Sequence, residues 1–312
     1  MSSASARPVL PLATRGRAPS LTKSVSFAFS GLALLTLATL ALIFLVQSLP
    51  VWRQEGLGYI TGTKWFYRAD IFGALPMIYG TIVVAFIALL LAAPIGIGAA
   101  VFTSEFLPQR MRLAVKITIE LLAGVPSVVY GLLGILFLRN WIYDLFARFE
   151  PLSGDTLLTA GVLLGVMILP TVMTLADDAL RGVPADQRRA ARSLGLKATE
   201  TVLGISLPQA KRGLIAALLL GLGRALGETI AVYLVVGRQD SNLPENIFSV
   251  RAWLEAGQTL STKLGGSETN IAYGGSLHWA AMVGLALILM AMVLAVTMAG
   301  AWQRRTKYAP GL

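Results

Sequence analysis

PMIYGTIVVAFIALLLAAPIGIGAAVFT, residues Pro76–Thr103, runs for 28 positions without a charged side chain. As an α-helix rising about 1.5 Å per residue it extends about 42 Å, more than the ~30 Å thickness of a hydrocarbon core. No polar face interrupts it, so such a helix needs apolar surroundings on every side. Lipid supplies them. Five further apolar runs of spanning length lie at 27–49, 112–138, 157–177, 211–236 and 276–302. Across the chain 55% of residues are hydrophobic and 13% charged, against about 25% charged in a typical soluble domain. The expected fold is all-α and integral to the membrane, with six transmembrane helices. The first run follows Arg7, Arg15, Arg17 and Lys23. It is nonetheless longer than the roughly 7–15 apolar residues of a secretion signal, so a retained helix is expected.

The formal net charge is +10, and its distribution is more informative than its size. With the amino terminus in the cytoplasm and six crossings, the inner segments hold 17 basic and 5 acidic residues and the outer loops 8 and 9. That bias is the positive-inside pattern. It places both termini in the cytoplasm and accounts for the excess charge without nucleic acid. Trp52, Trp141, Trp279 and Trp302 fall at the ends of expected spans, where indole favours the lipid–water boundary. His278, the single histidine, belongs to the same interface and receives no functional role. Cysteine is absent, which excludes disulfides and thiol catalysis. No metal site or cofactor is expected. No Gly-x-x-x-x-Gly-Lys-[Ser/Thr] phosphate loop occurs, so ATP hydrolysis is expected in a partner. The expected organisation is a disordered cytoplasmic tail over 1–24, a first helix and outer loop over 25–75, a transmembrane domain over 76–303, and a tail over 304–312. A second outer loop, 237–275, reads either as a solvated linker or as a docking surface or gate.

Between the fourth and fifth runs lies RGVPADQRRAARSLG, Arg181–Gly195. Pro184 suits a first helical turn and Gly195 a stop, and a second amphipathic stretch ends at Pro208. Ala190, Ala191 and Leu194 are expected to form one small face, with Arg188, Arg189 and Arg192 projecting elsewhere. A short helix of this kind suits a groove on another protein. Ala190-Ala191, then Gly195, Ile205 and Leu207-Pro208, resemble in spacing the EAA loop of bacterial ABC importer permeases. The resemblance implies the MetI-like fold, a coupling loop over 181–208 and docking on a cytoplasmic ATPase dimer. Arg189 stands where that motif usually has glutamate, so no contact of that glutamate carries over.

The fifth run contains GLGRALGET, Gly221–Thr229. A charge at the bilayer centre costs about 2.5–3.5 kcal/mol on insertion scales. Arg224 and Glu228 are four apart and on one face of a continuous helix. They read as a self-neutralising pair or as an anion site, in which Arg224 offers a planar fork to an oxyanion and Glu228 holds it or switches with it. Pro126 in the third run, flanked by Gly124 and Gly131, predicts a bent or unwound helix, which reads either as freeing Ser127 to line a polar cavity or as a proline kink that merely helps packing. Pro170 reads as a kink, and Lys116 and Glu120 as a pair. Arg224–Thr229 continued by Ile230-Ala231-Val232 resembles the PstC-type permeases of bacterial phosphate (Pst) importers, as do Leu75–Thr81, Glu120–Gly131 and Gly275–Trp279. This resemblance implies a permease subunit in the bacterial inner membrane with Arg224, Glu228, Thr229 and Ser127 on the substrate pathway. It implies as partners a PstA-type second permease, the ATPase dimer, an extracytoplasmic phosphate-binding protein and phosphate itself. A permease for another oxyanion and a proton-coupled secondary anion transporter stay open as alternatives.

Overall fold

The computed structural model describes residues 21–247, 249–274 and 276–305. The tails expected at 1–24 and 304–312 lie outside these residues except at their inner ends. Those inner residues are helical, Leu21 opening the first helix and Arg305 closing the last. The chain divides after Ile43 into two units. Six helices among the described residues are long and apolar enough to cross a membrane.

In helix α1 (Leu21–Glu55) several hydroxyls bond to the helix's own backbone. The Thr36 and Thr39 hydroxyls donate to the carbonyls of Leu32 and Leu35, one turn back. Beyond Ile43, Val51 joins a buried cluster with Tyr59, Trp65, Phe72, Met77 and Ala281. A hairpin of β1 (Trp65–Phe66) and β2 (Ile71–Phe72) leads from this cluster into the next span.

That span, α2 (Leu75–Phe106), ends in a π turn at Phe102–Phe106. An amphipathic helix follows, α3 (Gln109–Ala123), then the span α4 (Ser127–Leu145) and the span α5 (Leu157–Arg181). Helices α2 and α5 form the centre of the bundle, and small residues let them meet closely. A Cβ added at Gly161 would lie 2.6 Å from Ile87 Cβ, and one at Gly96 would lie 2.9 Å from Val172 Cγ1. The short helix α6 (Ala185–Ser193) comes next, then α7 (Ala198–Leu226), α8 (Ile230–Tyr233), α9 (Leu260–Leu264) and α10 (Ser276–Arg305). Gly221 of α7 packs on Val172 of α5, and Gly223 on Thr297 of α10.

Two spans differ from the sequence expectation. The third span is not 112–138. Its first half is α3, whose Val115 and Ile119 pack beside Ala100, Met173, Ala176 and Leu180. Helix α3 stops at Gly124, and Pro126, which lacks an N–H and disfavours helix in Val125, resets the chain before Ser127. Lys116 and Glu120 on α3 form no ion pair among the described residues; Lys116 instead lines an open groove with Arg110, Arg112 and Arg181.

The fifth span is not 211–236 either. It begins at Ala198, runs through Pro208 and ends at Leu226. A π turn at Val202–Ser206 opens the hydrogen-bond ladder ahead of Pro208, so the proline is accommodated where a stop was expected. After Leu226 the helix breaks over Gly227, Glu228 and Thr229 before α8. Pro170 lies within α5, and its carbonyl accepts from the Thr174 hydroxyl at 2.9 Å.

Candidate functional site

Two interrupted helices converge. Helices α4 and α8 run parallel, with Gly131 against Ala231 and Leu234 and Gly134 against Val235. The break at Gly124–Pro126 precedes α4 and the break at Gly227–Thr229 precedes α8. Backbone groups freed from a helix ladder are tolerated inside a membrane only where protein or a polar cavity meets them. Tyr130 spans the first break, its hydroxyl donating to Leu122 O at 3.0 Å. At the second, Glu228 Oε1 accepts from Ala231 N at 3.3 Å and the Glu228 carbonyl accepts from Ser261 Oγ at 2.8 Å.

This geometry separates Arg224 from Glu228. The helix ends between them, and they form no ion pair among the described residues, so the self-neutralising pair is corrected. Arg224 Nη1 donates instead to Thr171 Oγ1 at 2.8 Å. Thr171 is the fifteenth of 25 residues in α5, which sets the guanidinium near the middle of that span. Arg224 is exposed, and its other donors make no bond among the described residues. Glu228 is half-buried and borders a void of about 10 Å³ with Thr81, Thr259 and Ser261. Thr229 turns its methyl towards Gly265, where an added Cβ would come within 2.3 Å of it. Ser127 is half-buried and makes no hydrogen bond among the described residues.

The docking segment forms as a helix with its stop at Gly195, where φ is +86°, a conformation glycine adopts at little cost. Its faces differ from expectation. Ala191 is buried, whereas Ala190 and Leu194 point out, Leu194 being 81% exposed. Arg188 turns inward, and Arg189 reaches Asp186 at 3.1 Å on the surface. Leu207 is half-buried and Pro208 exposed at the start of the long part of α7.

One cluster escaped the sequence reading. Within loop 237–275, residues 257–263 are buried: Lys263 is 2% exposed, with Nζ 2.7 Å from Asp240 Oδ2 and in contact with Glu268 Oε2. Glu268 Oε1 also accepts from Trp65 Nε1 and lies 2.9 Å from His278 Nε2. The His278 ring stacks on Tyr67 and Phe72. Burial raises the Asp240 carboxyl above its ordinary range despite Lys263. Burial pushes Glu268 the same way, but hydrogen bonds from Lys263, Trp65 and His278 with the charge of Lys263 outweigh it and hold it low. This cap rests on the second break through Ser261 and Gly265. No periodicity announces it, because Asp240, Lys263 and Glu268 lie 23 and 5 residues apart within one long segment and meet Trp65 and His278 from outside it.

Six helices long and apolar enough to cross a membrane, an interruption at Gly227–Thr229 next to the mid-span Arg224 and a short exposed helix between α5 and α7 fit a membrane transport component. The chain belongs to the family of binding-protein-dependent transport system inner membrane components, whose family model matches residues 92–308, and within it to the PstC-type permeases. It is 33% identical over 308 residues to the phosphate transport system permease protein PstC 1 of Mycobacterium tuberculosis, covering 88% of this chain and 90% of that one. With PstC of Mesorhizobium japonicum the identity is 30% over 281 residues, covering 85% and 83%. Among solved structures, an inward-facing MetNI methionine ABC transporter matches with a TM-score of 0.53 at 19% identity, over 74% of this chain and 94% of that one. That likeness establishes the ABC importer permease fold. The protein is a multi-pass inner-membrane component.

Proposed function

We propose that this chain is one of two permease subunits enclosing the pathway of an ATP-driven phosphate importer. The supporting observation is Arg224, whose Nη1 donates to Thr171 at mid-span and whose other donors make no bond among the described residues, in a chain whose relatives are named phosphate permeases. A guanidinium presents paired N–H groups that match two oxygens of an oxyanion. Arg224 binds the anion in transit, while Thr229, Ser127 and the backbone groups at the two breaks line the path. Glu228 braces the second break. Arg224 is exposed on the single chain, so a PstA-type companion completes the site. By charge, α6 and both termini face the cytoplasm. A cytoplasmic ATPase dimer docks on the exposed Ala190 and Leu194, and an extracytoplasmic binding protein delivers phosphate to the cap.

The test is phosphate uptake into vesicles holding this chain, its companion permease, the ATPase and the binding protein. Uptake is expected to stop when ATP is removed and to continue when an uncoupler collapses the proton gradient. Uptake that survives without ATP and collapses with the uncoupler would overturn the reading.

A further inference from the structure

On α6 Arg188 turns into the bundle beside the buried Ala191. Arg188 of α6 donates from Nη2 to the Leu180 carbonyl at the end of α5. Its Nη1 lies 3.4 Å from Glu105 Oε1 in the π turn that ends α2. The side chains are 18% and 3% exposed, so this is a buried ion pair at the junction of three helices. It is also under-bonded: Glu105 Oε1 and Arg188 Nε are buried without a hydrogen-bond partner. Charges withdrawn from water are costly unless their remaining positions are satisfied, so this contact has a tighter arrangement open to it. The turn carrying Glu105 is secured from the other side by Arg112, whose Nε donates to Thr103 O at 2.9 Å and whose Nη2 donates to Leu107 O. A π turn is a common place for a functional hinge.

The covalent chain already ties α6 to α5 and, through Ala198, to α7. Arg188 adds α2. Helices α2 and α5 interlock at Gly96–Val172, Gly161–Ile87 and Gly165–Ala88, and Thr171, beside Val172, holds Arg224.

We propose that Arg188 and Glu105 are positioning residues that form a strut, making α2 follow α6 when the ATPase moves it. Resting on the coupling-loop reading above, the strut lets α2 and α5 move as one body and carries the motion through Thr171 to Arg224. Neither residue touches the transported anion.

The experiment measures ATP hydrolysed per phosphate imported by the full complex in proteoliposomes, with ATPase co-purification and melting temperature recorded for each variant. Glu105→Gln is expected to lower the melting temperature, as loss of one partner of a buried ion pair does, while leaving assembly and basal hydrolysis unchanged and raising ATP used per phosphate about tenfold, within the usual range of coupling between sites. The charge exchange Glu105→Arg with Arg188→Glu is expected to recover part of that loss, which mere filling of space would not achieve. Should Glu105→Gln not assemble, Arg188→Gln, at the more exposed end, reads the same ratio. A wild-type ratio in an assembled variant overturns the strut. Loss of ATPase co-purification also overturns it, by making the pair part of the docking surface. Failure of the unmutated chain to retain the ATPase would instead sink the coupling-loop reading itself.

Discussion

At the scale of single residues, the site works by leaving one group free and saturating another. Arg224 spends one donor on Thr171 and keeps the others available, whereas Lys263 is enclosed by two carboxylates. Losing one partner of a buried, bonded charge pair costs about 3–5 kcal/mol. Lys263→Met, which leaves Asp240 and Glu268 facing each other, is expected to lower stability by about that amount in thermal melts of the complex. The acid response has a defined sign. Glu268 titrates below its ordinary value of 4.5, so its contribution is full above that value and is lost as pH falls through its lower folded value. Asp240 titrates above its ordinary 3.8, so its contribution is largest in acid and fades as pH rises. Arg224 was legible in the sequence because a charge in an apolar run stands out. Lys263, in a polar loop, did not, and its burial depends on Asp240, Glu268 and Trp65 arriving from elsewhere.

At the scale of elements, the six apolar runs were readable because length and hydropathy alone decide them. The breaks were harder to place. Pro126 and Gly124 marked a disturbance, but its position depends on α4 packing along α8. Nothing local told a stop at Leu226 from a continuous helix through Glu228, and Pro208 ended no helix because a π turn absorbed it. The short helix α6 and its stop were legible through Pro184 and Gly195, while the directions of Arg188 and Ala190 were not, since they depend on Glu105 and Leu180. Gly195 has open space around it and a left-handed backbone. Gly195→Leu therefore acts through conformation, with a left-handed residue costing about 1–2 kcal/mol. Reduced co-purification of the ATPase is the expected result, with the spans still inserted. Retention equal to the unmutated chain would show that the loop needs no such turn.

At the scale of the whole molecule, the account assigns opposite ends of the bundle to opposite sides of the membrane. The absence of cysteine allows a direct check by single substitutions at the exposed Leu152 and Leu194. A membrane-impermeant thiol reagent is expected to label Leu152→Cys in intact cells and Leu194→Cys only after permeabilisation; the reverse pattern would invert the topology. The central claim is that Arg224 carries phosphate contact for an ATP-driven pathway. Its most direct test is the initial rate of ATP-dependent phosphate uptake by vesicles holding the full complex, with the unmutated chain against Arg224→Ala. The variant is expected to assemble with its ATPase and companion yet to transport no phosphate. Uptake at the unmutated rate by the assembled variant would contradict it.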